Sequence, residues 1–264
     1  MTIENNLMKN KAFTLFYITR GIIFIVFSLL WCNPVLSQSL KVATAANLQS
    51  VIKVLGDDFK HKTGITIEPI VSSSGNLTAQ IKNGAPYDVF LSADMGFPES
   101  LFKDGFSAKK PVVYARGSLI ICSKQNVSFD QWEQLLKSEK VKKIAVANPK
   151  IAPYGKAAEE TLQEKGILND IKPKIVYGES ISQVNTYITT GAVEIGFTTQ
   201  ALVKDAANKT LLYWKVIDPA TYAPIEQGMV LLISAGDKPD ALKFYEYILS
   251  PAAKAIFEEY GYKK

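Results

Sequence analysis

Ser72-Ser73-Ser74-Gly75-Asn76-Leu77-Thr78-Ala79-Gln80-Ile81-Lys82-Asn83-Gly84-Ala85-Pro86-Tyr87-Asp88-Val89-Phe90-Leu91-Ser92-Ala93-Asp94 reads as a hydroxyl-rich loop, a short helix, a turn and a buried strand. Ile65, Ile67, Ile70 and Val71, just before it, are the apolar β-branched residues of an incoming strand. Leu77 and Ile81 are four apart and share the inner face of the helix. Gly84 is placed to end that helix, and Pro86 prevents its continuation. A strand that runs through a Ser/Gly loop into a helix N-terminus is an arrangement that binds anions. First-turn N–H groups lack partners and carry partial positive charge. Gly75 admits a ligand close to the backbone, and its N–H is expected to reach the anion, while the serines add donors. The alternative for these residues is that Ser74 or Asn76 only caps its own helix.

The chain of 264 residues is long enough for one large domain or two medium ones. Its composition, 47% hydrophobic and 21% charged, excludes disordered and collagen-like classes. Residues 1–37 read as a secretory signal peptide. A basic region ends at Arg20, an apolar run spans Gly21 to Trp31, and Val35-Leu36-Ser37 forms a small-residue cleavage pattern. The alternatives are an uncleaved anchor or a lipid attached at Cys32, against which Trp31 is far too large for the position before the cysteine. Loss of that segment reduces the net charge from +5 to about +3, too little and too scattered for a nucleic-acid partner. Arg116 is the only arginine after residue 37, which argues against bidentate arginine clamps on a carboxylate or phosphate. Cys122 is then alone, and its apolar surroundings give it the role of a small core residue.

Leu40 to Leu48 reads as a short strand turning into a helix, with Asn47 a natural N-cap and Val51, Val54, Leu55 and Phe59 following at helical spacing. Two strand–loop–helix units in succession imply a parallel α/β sheet whose ligand loops lie at the strand ends, which would place Asn47 near Ser74. Val112 to Cys122, long and β-rich with a Gly117-Ser118 break, would carry the chain into a second lobe. There the theme repeats, with Asn148 to Gly155 as a loop before a helix from Lys156 and Gly178 to Ser182 opening another. Tyr222 to Ile233 would be the return crossing, and two amphipathic helices, Pro239 to Leu249 and Pro251 to Tyr260, would pack on the first lobe.

These residues resemble the molybdate-binding proteins of bacterial ABC importers, which are type II periplasmic binding proteins. The resemblance spans residues 40–262. It rests on Ala45-Ala46-Asn47-Leu48, Ser73-Ser74-Gly75-Asn76-Leu77 with Gln80-Ile81, Gly84 to Asp94, Asn148-Pro149 with Ala152-Pro153-Tyr154-Gly155, and Phe257 to Gly261, in that order. It implies an α/β fold of two lobes, each a mainly parallel sheet flanked by helices, joined by two crossing segments that act as hinges. Lobe 1 would comprise 38–117 and 226–264, and lobe 2 would comprise 118–225. It further implies a monomeric, periplasmic, non-enzymatic protein without a cofactor, which captures molybdate or tungstate and delivers it to a membrane permease. Molybdenum would be bound only as the oxyanion. Carried over residue by residue, the ligands would be Asn47 and Ser74 by side chain and N–H, Tyr154 through its hydroxyl or N–H, and Ile181 through its N–H. Thr199 stands where many members carry a tyrosine, and Tyr154 where those members carry a small residue, so Thr199 is carried as a fifth candidate and Tyr154 would supply the phenol from the other side.

Three alternatives remain at this level: another solute such as sulfate or phosphate, a secreted enzyme, and a receptor sensor lobe. His61 is the only histidine and lies in Lys60-His61-Lys62, which argues against a catalytic triad and histidine-based metal sites. Asp88 and Asp94 on one strand would stand about 20 Å apart, too far for joint acid–base work.

Overall fold

The computed structural model describes residues 39–107 and 109–263; the segment 1–37 read as a signal peptide, with Cys32, lies outside them. Ten strands occur among these residues: β1 Leu40–Ala45, β2 Ile67–Ser72, β3 Val89–Leu91, β4 Val112–Gly117, β5 Leu119–Ser123, β6 Ile144–Ala147, β7 Ile175–Gly178, β8 Ile195–Thr199, β9 Tyr213–Val216 and β10 Ile225–Leu231. They form two five-stranded sheets of matching order, β2-β1-β3-β10-β4 and β7-β6-β8-β5-β9. In each sheet three strands pair in parallel, and a fourth and fifth are added through antiparallel pairings. Four strands of each sheet therefore run the same way, and the reversed one, β10 or β5, is the strand that has just arrived from the other lobe. The sheet changes between Gly117 and Leu119 on the outward crossing, and between Val216 and Ile225 on the return.

Ten helices flank the sheets among the described residues: α1 Ile52–Thr63, α2 Ser74–Lys82, α3 Gly96–Lys103, α4 Trp132–Lys137, α5 Pro153–Glu164, α6 Leu168–Ile171, α7 Ile181–Thr190, α8 Ala201–Lys204, α9 Pro239–Ile248 and α10 Pro251–Glu259. The two-residue period of the strands explains how the first sheet is covered on both faces. Ala43, Phe90 and Val230 point to one side, where Leu77 and Ile81 of α2 and Leu101 of α3 meet them. Val42, Val89, Leu91 and Met229 point to the other, against Leu55 and Phe59 of α1, Phe244 of α9 and Phe257 of α10. A separate core, including Ile121, Val146, Phe197 and Leu162, fills the second lobe. The β2 edge tolerates Pro69 because one side of an edge strand has no ladder to satisfy.

The structure corrects several local expectations. Asn47 caps nothing; it lies inside a 3-10 turn, Ala46–Leu48, and α1 begins only at Ile52 behind Val51. The strand expected from Asp88 to Asp94 is the three-residue β3, because Ser92 and Asp94 turn onto each other: the Ser92 hydroxyl donates to Asp94 Oδ1 at 3.1 Å. Tyr154 is not in a loop. Pro153, whose fixed φ and missing N–H suit a first helical position, starts α5 three residues earlier than expected.

That early start depends on Gly155. A Cβ at Gly155 would stand 2.0 Å from the Ala147 carbonyl oxygen at the end of β6 and 2.6 Å from its carbon, so only glycine lets α5 lie on that strand end. Alanine should favour the helix intrinsically by about 1 kcal/mol. Gly155→Ala is nonetheless expected to destabilise the protein by roughly 2 kcal/mol or more, lowering the melting temperature in calorimetry by roughly 4–8 °C; an unchanged or raised transition would show that the contact is not limiting.

Candidate oxyanion site

The ends of five strands converge on one cavity. It is lined by Ala45, which closes β1, with Ala46 and Asn47 just beyond it, Ser73 and Ser74 after β2, Ala93 after β3, Ala152, Pro153 and Tyr154 after β6, and Ile181 after β7. Asn47, Ser74, Tyr154 and Ile181, distant in sequence, are thus brought together, two from each lobe. Each is almost wholly buried.

Each of the four offers a backbone N–H that its own element leaves unused. Ser74 and Ile181 are the first residues of α2 and α7, Tyr154 is the second of α5, and Asn47 is the second of its 3-10 turn. Groups at such positions have no intrahelical acceptor and sit at the positive end of the peptide dipoles. Neighbouring first-turn donors are taken. Asn76 N–H donates to Ser73 Oγ, so Ser73, and neither Ser74 nor Asn76, caps α2; Gln183 N–H donates to Ser180 Oγ in the same way. Relieved of capping, Ser74 is oriented by Ala93, whose N–H donates to Ser74 Oγ at 3.0 Å. A hydroxyl that already accepts a bond keeps its proton for a ligand.

Gly75 departs from expectation. Its N–H does not face the cavity; it donates to the Ile151 carbonyl of the other lobe at 3.0 Å. The two backbones are so close that a Cβ on Gly75 would lie 2.8 Å from Ile151 Cβ and 2.9 Å from its Cα. A second link between the lobes joins the Ser182 hydroxyl to Gln49 Oε1. The lobes are therefore clasped, and the space left between them at these residues is about 10 Å³, close to what one water requires.

The phenol of Tyr154 turns away from the ligand space. It receives hydrogen bonds from Thr199 Oγ1 and from Gln227 Nε2, both at 3.4 Å. It also lies where a Cβ on Gly117, at the crossing, would be 2.0 Å from its oxygen. Tyr154 therefore lines the cavity while its hydroxyl lies against the crossing. Thr199 does not line the cavity; it touches Tyr154 instead. Burial, reinforced by Tyr262, pushes the Tyr154 phenol well above its ordinary pKa, so it stays protonated. Burial also raises the nearby Asp94 carboxyl. The lining includes no charged side chain.

Behind Asn47 lies a polar network that the sequence did not announce. Asn47 Nδ2 donates to Gln227 Oε1 at 2.8 Å, and Tyr262 donates to the Asn47 carbonyl at 2.7 Å. Tyr114 OH lies 2.9 Å from both Gln227 Oε1 and the Ser92 carbonyl. Asn47 Oδ1, buried beside the cavity, is without a partner among the described residues. The available signal was Gln227 itself, a polar residue in the apolar run Ile225 to Leu231.

The sequence profile of bacterial extracellular solute-binding proteins matches residues 40–263. The chain is 34% identical to the molybdate-binding protein ModA of Azotobacter vinelandii, over 94% of this chain and 98% of that one. It is 33% identical to ModA of Rhodobacter capsulatus, over 87% and 90% of the two chains. The solved periplasmic molybdate-binding protein of Azotobacter vinelandii superposes with a TM-score of 0.81, covering 86% of this chain and 99% of that one. Agreement in profile, sequence and two-lobed fold over nearly the whole described length means that this chain belongs to the bacterial extracellular solute-binding proteins.

Proposed function

We propose that this protein captures molybdate or tungstate between its lobes outside the cytoplasm and hands it to the permease of an ABC importer. The observation that carries this reading is the convergence of four unused N–H groups and the Ser74 hydroxyl on one cavity without a charged side chain. A dianion with four equivalent oxygens needs several donors spread in three dimensions, and neutral donors supply them without an ion pair that would be costly to break on release. The names of the two ModA relatives favour molybdate over sulfate or phosphate. Asn47, Ser74, Tyr154 and Ile181 are the ligands in this reading. Thr199 supports Tyr154 and does not touch the anion.

The division into lobe 1 (38–117 and 226–264) and lobe 2 (118–225) is part of the same proposal, supported by the change of sheet around Ser118 and before Ile225. So are secretion through residues 1–37, a periplasmic location and a monomeric, non-enzymatic carrier that uses no cofactor and binds no nucleic acid. Among the described residues no helix is long and apolar enough to cross a membrane. Closure would follow rotation about the crossings at Gly117-Ser118 and ahead of β10, with the Gly75–Ile151 clasp formed only in the closed state.

Molybdate or tungstate at about a hundredfold over the dissociation constant is expected to stabilise the purified protein by about 2.7 kcal/mol, a thermal shift of roughly 5–10 °C. Sulfate and phosphate in parallel should give little; a shift with sulfate alone would redirect the assignment, and none with molybdate or tungstate would end it. In calorimetric titration Ser74→Ala should weaken molybdate binding by roughly ten- to a hundredfold through one lost charge-assisted hydrogen bond; the variant should still fold, about 1–3 kcal/mol less stable because the buried Ala93 N–H loses its acceptor.

Gly75→Ala isolates closure from folding. A second helical position tolerates alanine, so the unliganded protein should melt no lower. Its molybdate affinity should fall by roughly tenfold or more, since the Cβ meets Ile151 only when the lobes are together. Small-angle scattering with molybdate should show a larger radius than the unsubstituted protein; equal radii and affinities would refute the clasp.

A further inference from the structure

We propose that Gln227 is a positioning residue of the anion site: it sets the orientation of the Asn47 amide and so decides that this wall of the cavity presents a donor. The inference rests on the oxyanion reading above and adds to it a residue that does not line the cavity.

With Asn47 Nδ2 toward Gln227 Oε1, the buried Asn47 Oδ1 has no partner. Gln227 Nε2 and Thr199 Oγ1 both donate to the Tyr154 oxygen, so the Tyr154 proton has no acceptor among these groups. Gln227 Oε1 competes with the Ser92 carbonyl for the single proton of Tyr114. A planar amide interchanges its oxygen and nitrogen by a half-turn. When both amides turn together, the three conflicts resolve at once. Tyr114 donates to the Ser92 carbonyl and accepts from Gln227 Nε2. The same nitrogen donates to Asn47 Oδ1. Tyr154 donates to Gln227 Oε1 while accepting from Thr199. Tyr262 continues to donate to the Asn47 carbonyl at 2.7 Å, and the turn gives up the longer 3.4 Å bond from Asn47 Nδ2 to the Tyr262 oxygen. One group is then left over, Asn47 Nδ2, now at the buried unpartnered position beside the cavity. An oxyanion is the partner it lacks, and an acceptor there would instead repel a dianion.

The backbone makes this network possible. Opposite Gln227 and Gly228 on β10, the register on β4 steps from Ala115 to Val113, leaving Tyr114 as an extra residue. Such a bulge re-aims a side chain that would otherwise alternate to the other face. It brings the Tyr114 hydroxyl onto both Gln227 and Ser92, fixing the amide from behind. The bulge lies on the two strands that carry the chain between lobes.

Gln227→Glu keeps the shape and removes the amide donors. Molybdate affinity should drop by more than tenfold at alkaline pH and recover as the pH falls, since burial brings a glutamate's titration toward neutral and only the protonated acid can donate to Asn47. The unsubstituted protein should show no such recovery. In a cycle of Asn47→Ala, Gln227→Leu and the pair, the double variant should bind no more weakly than Asn47→Ala alone, because Gln227 acts through Asn47. A pH-independent loss in Gln227→Glu, or additive losses in the cycle, would overturn the proposal. Should the variants fold poorly, the unsubstituted protein decides: the Asn47 side-chain NH₂ resonances should move downfield on molybdate addition, and if they stay while the Ser74 and Ile181 N–H signals move, Asn47 Nδ2 is not a donor to the anion. Failure of molybdate to raise the melting temperature of the unsubstituted protein would instead reject the oxyanion reading itself.

Discussion

An α-helix cannot satisfy the N–H groups of its own first turn, and this constraint organises the whole molecule around the cavity. In a parallel sheet every strand that feeds a helix delivers such a turn to the same edge. Two similar sheets facing one another therefore bring donors from opposite sides to one volume. Here Ser74 and Ile181 open helices, Tyr154 is one residue inside another, and Asn47 lies in a 3-10 turn. Ser73 and Ser180, which cap their helices, each take one other first-turn donor, that of Asn76 and that of Gln183. The division between capping serine and free donor is what leaves specific N–H groups unpaired instead of a diffuse patch of polarity.

The same economy governs how the lobes meet. Gly75, one residue past Ser74, spends its N–H on the Ile151 carbonyl across the interface. Tyr154 is divided between two tasks, with its backbone at the ligand space and its phenol against Gly117 at the crossing. A single residue thus touches both the cavity and the segment about which the lobes would rotate. Gln227 belongs to the return crossing and bonds both Tyr154 and Asn47. Ligand donors and crossing strands share one hydrogen-bonded network, a physical route by which occupancy of the cavity can bias closure.

Much of the architecture was legible in the residue pattern. Alternating strand and helix signals with Ser/Gly-rich connections imply a parallel α/β sheet, and the two long β-rich segments around Gly117 and Gly228 marked the crossings. Local chemistry was less so. Asn47 has the composition of a cap and does not act as one, because the chain takes a 3-10 turn before α1 begins. The serine run allowed capping at several positions, and only the approach of Ala93 to Ser74 singles out Ser73 as the cap. Pro153 carries a helix-start signal, but the loop-like run Asn148 to Gly155 around it masks where α5 begins.

By itself, the sequence determined the fold class, the strand-end location of the ligand loops and the near absence of arginine, since these follow from period, turn residues and composition, which are local or additive quantities. Tertiary structure alone decided which donors are free and which are spent. Gln227 meets Tyr114 and Asn47 across sequence separations of 113 and 180 residues, and the Gly75 N–H finds its acceptor in the other lobe. The physical reason is that a hydrogen bond depends on distance and direction in space. Residue type reports what a group can donate or accept, but only the folded chain settles which partner it has.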